Sequence, residues 1–195
     1  MTIALLIIAM ISVAQREGTF TDTSNGKIYL TVTIGTQTWM AENFSFETDG
    51  YDTLKKDGYA VNWETANKIA PSGWHLPSKE EWQILFDYLG KKPENVFDEL
   101  YKNKCNFNAK FNHRHYDYSD KLLDKYTYSA SLMNQDFYTF CCWTSTPVRK
   151  NKARAIFITK IEAILQQNPW HSKGFYVNFQ REKRKSLFDV RLIKD

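Results

Sequence analysis

Apolar residues recur along this chain with two different periods. Ile28, Leu30, Val32 and Ile34 alternate with Tyr29, Thr31 and Thr33, the period-two pattern of a half-buried strand. Gly35-Thr36 then offers a tight hairpin turn, the glycine supplying a positive φ, and the return strand carries Trp39 and Met40. Upstream, Thr21 to Gly26 ends in the turn dipeptide Asn25-Gly26. The period changes at Trp82: Trp82, Leu85, Phe86 and Leu89 recur at i, i+3, i+4 and i+7, one apolar face of a helix. Ser78 and Glu81 have the spacing of a capping box, and Pro77 discourages an earlier start. These signals predict a buried amphipathic helix from about Lys79 to Leu89, stopped by Gly90 with Pro93 beyond it.

Weaker signals fill in the rest. Asn62 can cap a short helix from Trp63 to about Ala70, which Pro71 ends, and Phe97 to Tyr101 reads as a helical turn. Phe137–Thr146, Ala153–Ile161, Lys173–Phe179 and Phe188–Ile193 read as strands. The charged run Arg181–Lys185, REKRK, reads as a solvated hairpin tip between the last two. The order hairpin, short helix, loop, long helix, strands fits an α+β domain.

Composition narrows the class. In 195 residues, 43% hydrophobic and 15% aromatic content suffices for one sizeable core, so one domain spanning 18–195 is expected. The net charge of +4 comes from interspersed acids and bases, without a nucleic-acid-binding motif, so no nucleic-acid partner is expected. Residues 1–14 read as a secretory signal peptide: Thr2–Ala14 is apolar, too short to span a bilayer in the usual way, and ends in small residues. A buried N-terminal strand is the alternative, because no Lys or Arg follows Met1. With no cysteine after the apolar run a lipoprotein anchor is not supported, and contact with a membrane is expected only through export. Cys105, Cys141 and Cys142 do not make a disulfide framework; on a strand the adjacent pair points to opposite faces.

Four strings carry a family resemblance. They are Ile34–Phe44, IGTQTWMAENF; Pro71–Trp82, containing GWHLPS and EEW; Cys142–Thr146, CWTST; and Phe188–Asp195, FDVRLIKD. In this order they resemble the Fibrobacter succinogenes major paralogous domain, over roughly Phe20 to Asp195. LPSKEEW is also similar to a helix of formylglycine-generating-enzyme-like domains, which share the C-type-lectin-like fold. The resemblance implies a C-type-lectin-like α+β fold: a twisted antiparallel sheet with paired N- and C-terminal strands, two flanking helices and a long irregular loop region. Many members carry cysteines where Ala70 and Leu192 stand, a bridge that packing must replace here. Phe107-Asn108-Ala109 matches the start of a family segment, without the glycines that usually follow. Glu42 and Asn43 are expected to hold a loop by side-chain hydrogen bonds.

Candidate chemistry is sparse. His113 and His115 lie two apart, on one side of a strand, with Asp117 in the same alternation, but a metal site needs a convergent ligand set. His75 is expected to bond backbone within a packed turn. The calcium-ligating strings of C-type lectins have no counterpart at Cys142-Trp143-Thr144 or Asn168-Pro169. No calcium site, other metal or cofactor is therefore expected. What remains is a surface: Tyr116, Tyr118, Tyr126, Tyr128, Tyr138, Trp170 and His171 populate the irregular region, a composition suited to stacking on sugars or to protein recognition. Tyr116, Tyr118, Trp170 and His171 are the ligand-binding candidates. The expected function is a non-catalytic binding module for a glycan or protein, secreted or at the cell surface, with the periplasm as an alternative. A formylglycine-generating-enzyme-like copper oxidase using Cys141 and Cys142, and a structural envelope component, are the other readings.

Overall fold

A computed structural model describes residues 16–45, 60–116, 135–163 and 174–195; the apolar run Thr2–Ala14 lies outside them. Two antiparallel sheets and three helices make up the described residues, an α+β arrangement. The first sheet holds β1 (Arg16–Thr21), β2 (Ile28–Ile34), β3 (Gln37–Met40), β4 (Trp74–His75) and β9 (Ile193–Lys194), in the order β1-β2-β3-β9-β4. The second holds β5 (Asn112–Tyr116), β6 (Gln135–Pro147), β7 (Lys152–Ala163) and β8 (Gly174–Lys183), in sequence order. The C-terminal strand β9 enters the N-terminal sheet between β3 and β4, but the N-terminal strand β1 pairs with β2 at the sheet edge, three places from β9, so the two terminal strands share a sheet without pairing.

The strongest local signals become the elements they predict. α2 (Lys79–Tyr88) carries the complete capping box: Ser78 Oγ accepts from the Glu81 backbone N–H, and the Glu81 carboxylate accepts from the Ser78 N–H. Gly90, at φ 107°, ends it in the left-handed region. The β2–β3 hairpin closes through Gly35 at φ 61°, with Ile34 opposite Gln37. α3 (Pro93–Tyr101) is longer than a turn because Pro93 occupies its first turn, where a missing N–H costs nothing. α1 (Trp63–Ala66) is shorter than expected. The Asn67 side chain donates to the Trp63 carbonyl at 2.7 Å and so competes with continued helix.

Strand β2 departs from the expected alternation. Ile28 and Leu30 are 61% and 57% exposed, whereas Tyr29 is fully buried. The reason is that the two sheets share two cores. Val32, Ile34 and Trp39 pack with Trp82, Leu85, Phe86, Phe97, Phe140 and Ile156 in one. Tyr29, Met40 and Phe44 pack with Trp74, Trp143, Ala155, Val190 and Leu192 in the other. Each face of β2 therefore meets a core over only part of the strand: Tyr29 enters one at the start and Val32 and Ile34 the other at the end, so the buried face changes while the apolar alternation runs on. The same division explains the unbroken apolar run in β6: Phe140 and Cys142 enter the first core, Cys141 and Trp143 the second.

The C-terminal segment is the seam between the sheets. Its carbonyls accept from both sides: Asp189 O from Trp143 N–H, Val190 O from Phe44 N–H, and Leu192 O from Met40 N–H. Phe188–Ile193 was expected as one strand. It makes isolated bridges at Phe188 and Asp189 before β9, because successive residues bond different partners. The basic run also differs from expectation. Arg181, Glu182 and Lys183 continue β8 opposite Arg154, Ala153 and Lys152, Glu182 is buried, and the turn begins only at Arg184.

Candidate functional site

The four motif strings meet one another. Trp39 packs on Trp82 with ring centroids 4.7 Å apart, and the Gln37 side chain donates to the Glu81 carbonyl. Ser145 N–H donates to Pro77 O, and Thr146 Oγ1 accepts from the Lys79 N–H, so a bulge in β6 satisfies the start of α2. Arg191 is completely buried; its Nη1 donates to Met40 O at 3.1 Å and Phe107 O at 2.9 Å, and its Nη2 to Asn43 Oδ1 at 2.8 Å. Asn43 in turn donates to the buried carboxylate of Asp189, and Glu42 accepts from the Leu30 N–H. Burial pulls the Arg191 guanidinium down to about 10, which still leaves it a cation at neutral pH. These residues hold the frame together.

A separate site opens where the β6–β7 turn, the end of β8 and the start of α1 come together. An open cleft of about 590 Å³ is lined by Asn62, Glu64, Lys150, Asn151, Lys183, Arg184 and Lys185. Arg184 is held in place within this lining. Its backbone N–H donates to Asn151 O and its carbonyl accepts from the Trp63 N–H, both at 2.9 Å. Its guanidinium lies over the Trp63 ring at 4.2 Å from the centroid, 3.4 Å from a Glu64 carboxylate oxygen. The Trp63 indole is itself held, donating to Thr144 O at 2.8 Å. The Arg184 side chain remains 29% exposed. Lys150 stands at φ 59° in the turn, a conformation that favours glycine or asparagine. The lining carries four cations against one carboxylate, so the cleft presents positive potential to an approaching anion.

A family model, described as the Fibrobacter succinogenes major domain, matches residues 32–194. The chain belongs to that family. No curated protein and no solved structure matches it.

In this Fibrobacter succinogenes major domain the family strings lie in the frame, and the cleft is built mainly from residues between them. Of the aromatic candidates, Tyr116 ends β5 opposite Gln135; Tyr118, Trp170 and His171 lie outside the described residues, as do Tyr126 and Tyr128. Tyr138 packs against the first core. His113 and His115 occupy β5 opposite Tyr138 and Asp136. Among the described residues there is no group of three or more metal-ligating side chains. Cys141 and Cys142 enter different cores, and the three cysteines form no disulfide with one another.

His75 does not bond backbone as expected. Its Nδ1 lies 2.6 Å from Asp195 Oδ1 and its Nε2 2.8 Å from Glu81 Oε1. The cleft itself escaped sequence reasoning because REKRK resembles any solvated turn. The usable signal was the pairing of that run with Lys150-Asn151, and only strand register brings the two together.

Proposed function

We propose that this protein is a non-catalytic binding module, secreted or displayed at the cell surface, that takes a glycan or protein ligand in the Arg184 cleft. The observation that carries this reading is the fixing of Arg184. A guanidinium already stacked on Trp63 and bonded to Glu64 and the Lys152 carbonyl, on a backbone that is itself tied down, loses little freedom when a ligand arrives, so more of its interaction energy appears as affinity. The cleft's volume, about 590 Å³, is in the range of small-ligand sites, roughly 300–1,000 Å³.

The finer architecture we propose is C-type-lectin-like. Two features support it: the C-terminal strand returns into the N-terminal sheet, and Ala70 and Leu192, positions where the resemblance implies a bridge in other members, belong to one apolar cluster.

The test is a thermal-shift screen of the full chain against glycans, with Ca²⁺, Cu⁺ and EDTA arms. A ligand that binds only the folded state raises the melting temperature with its occupancy. The expected result is a shift with a glycan, insensitive to EDTA and lost in Arg184→Ala. A shift with copper alone, abolished by Cys142→Ser, would replace this reading with the oxidase. A flat screen against both glycans and candidate protein partners would replace it with a structural envelope role.

A further inference from the structure

The chemistry of the cleft lining says more about its ligand than that one binds. We infer that the site selects an acidic glycan, a short oligosaccharide carrying carboxylate or sulfate groups; this rests on the binding-module reading above. Lys150, Lys183, Arg184 and Lys185 converge on one opening from two segments that are distant in sequence. Arg184 offers a planar donor set in a fixed orientation, suited to an oxyanion. The exposed Lys150 and Lys185 add positive charge at the rim, beside Lys183 at the end of β8.

The remaining lining residues separate a sugar from other polyanions. Asn62 and Asn151 carry side-chain amides, and Glu64 carries the lining's one carboxylate. Asn62 Oδ1 already accepts from the Thr65 N–H as the cap of α1, which leaves its NH2 to donate to a hydroxyl; the Asn151 amide can pair in either sense, and the Glu64 carboxylate can accept. A dense polyphosphate would meet repulsion at Glu64, whereas a sugar ring presents hydroxyls between its charged groups. Size agrees: about 590 Å³ is large for a lone inorganic ion and in the range of small-ligand sites. The Trp63 ring contributes indirectly, because its face is occupied by Arg184. Its part is to position the guanidinium.

Lys150 makes the site testable without unfolding it. It is exposed and stands at φ 59°, where asparagine is better tolerated. Lys150→Asn therefore removes charge and relieves backbone strain together. Lys185→Gln removes a second exposed cation.

The experiment is calorimetric titration of the full chain with oligogalacturonate, an alginate oligomer, a glucuronate-containing oligomer and a sulfated galactan fragment. Fully methyl-esterified oligogalacturonate, neutral oligosaccharides and polyglutamate complete the panel. At least one acidic oligosaccharide should bind saturably, and its affinity should fall as salt is raised. Lys150→Asn with Lys185→Gln should weaken that binding tenfold or more while the melting temperature of the free protein holds or rises. The carboxylated and sulfated arms distinguish the two sources of negative charge. Equal binding of the methyl ester or a neutral sugar would overturn the acidic preference and leave the binding-module reading standing. Equal binding of polyglutamate would show charge attraction without sugar recognition and overturn the inference. No binding to any carboxylated or sulfated member would also overturn it; the binding-module reading falls only if neutral glycans and protein partners fail as well.

Discussion

The imidazole of His75 lies 2.6 Å from the carboxylate of Asp195, the last residue of the chain. Glu81 closes the other side of the ring at 2.8 Å. Asp195 N–H also donates to Gly73 O. One histidine thus clamps the end of β9 to the first turn of α2, two elements that neighbour β4.

This clamp gives stability a pH dependence with a definite sign. Burial opposes the charged imidazole, but hydrogen bonds and charge from Glu81 and Asp195 outweigh it and raise the His75 pKa. A raised folded-state pKa adds stability that is full below the unfolded value, about 6.5, and is lost as pH rises through the folded one. For Glu81, burial acts upward, but the Ser78 N–H, His75 and the Ser78 hydroxyl together hold the carboxyl below its usual range. That contribution is present above the unfolded value, about 4.3, and fades as pH falls through the folded one. The clamp should therefore be strongest between those two unfolded values. Thermal unfolding should show a melting temperature that falls from pH 6 to pH 8, and His75→Gln should flatten that slope. An unchanged slope in the variant would assign the pH dependence to other groups.

Arg191 is the costliest single polar residue to remove. Arg191→Ala would strand the carbonyls of Met40 and Phe107 and the amide of Asn43 inside the protein. Each buried unsatisfied acceptor costs about 1–3 kcal/mol. Urea unfolding should show a loss of about 3–5 kcal/mol, of the size seen when a buried charge network is broken. Arg191→Lys should recover little, because an ammonium cannot reproduce the planar fork.

Gly35 is required twice. Its φ of 61° is costly for a side chain, and a Cβ there would come within 2.9 Å of the Tyr88 ring. Gly35→Ala should destabilise by about 1–2 kcal/mol from the backbone alone. In a double-mutant cycle with Tyr88→Ala, only the ring clash should be relieved. Complete rescue in denaturant melts would show that the backbone term is negligible.

Ser78→Ala should lose about 0.5–2 kcal/mol, the range for a helix cap. The loss belongs toward the upper end, because the Ser78 hydroxyl also reaches Glu81, the carboxylate that holds His75. The pH slope attributed to His75 should shrink in the same variant. A Ser78→Ala protein with an unchanged slope would uncouple cap and clamp.

How much of this was legible in the sequence varies with the range of the interaction. The capping box at Ser78 and Glu81, the glycine stop at Gly90 and the Gly35-Thr36 hairpin depend on residues within a few positions of one another, and all three occur where the pattern places them. Strand positions from Phe137 to Phe179 were legible too, with extended ends. The burial of β2 was not: period two reports that faces alternate, but not that both faces meet a core. The role of Arg191 was hidden for a similar reason. Its partners lie 151 and 84 positions away, and in sequence it is one arginine among apolar neighbours.

By itself, the sequence determined part of the local grammar of this protein: the capped and glycine-stopped helix α2, the Gly35 hairpin, the positions of most strands, and the motif strings that mark its family. Those follow from backbone sterics, capping and side-chain periodicity, which act over a few residues. Tertiary structure decided the rest. It divided the apolar residues between two cores, threaded the C-terminal segment between two sheets, and set Lys150 beside Lys183, Arg184 and Lys185. A cleft is made by strand register and packing between distant segments, so its charge exists only once the chain has folded.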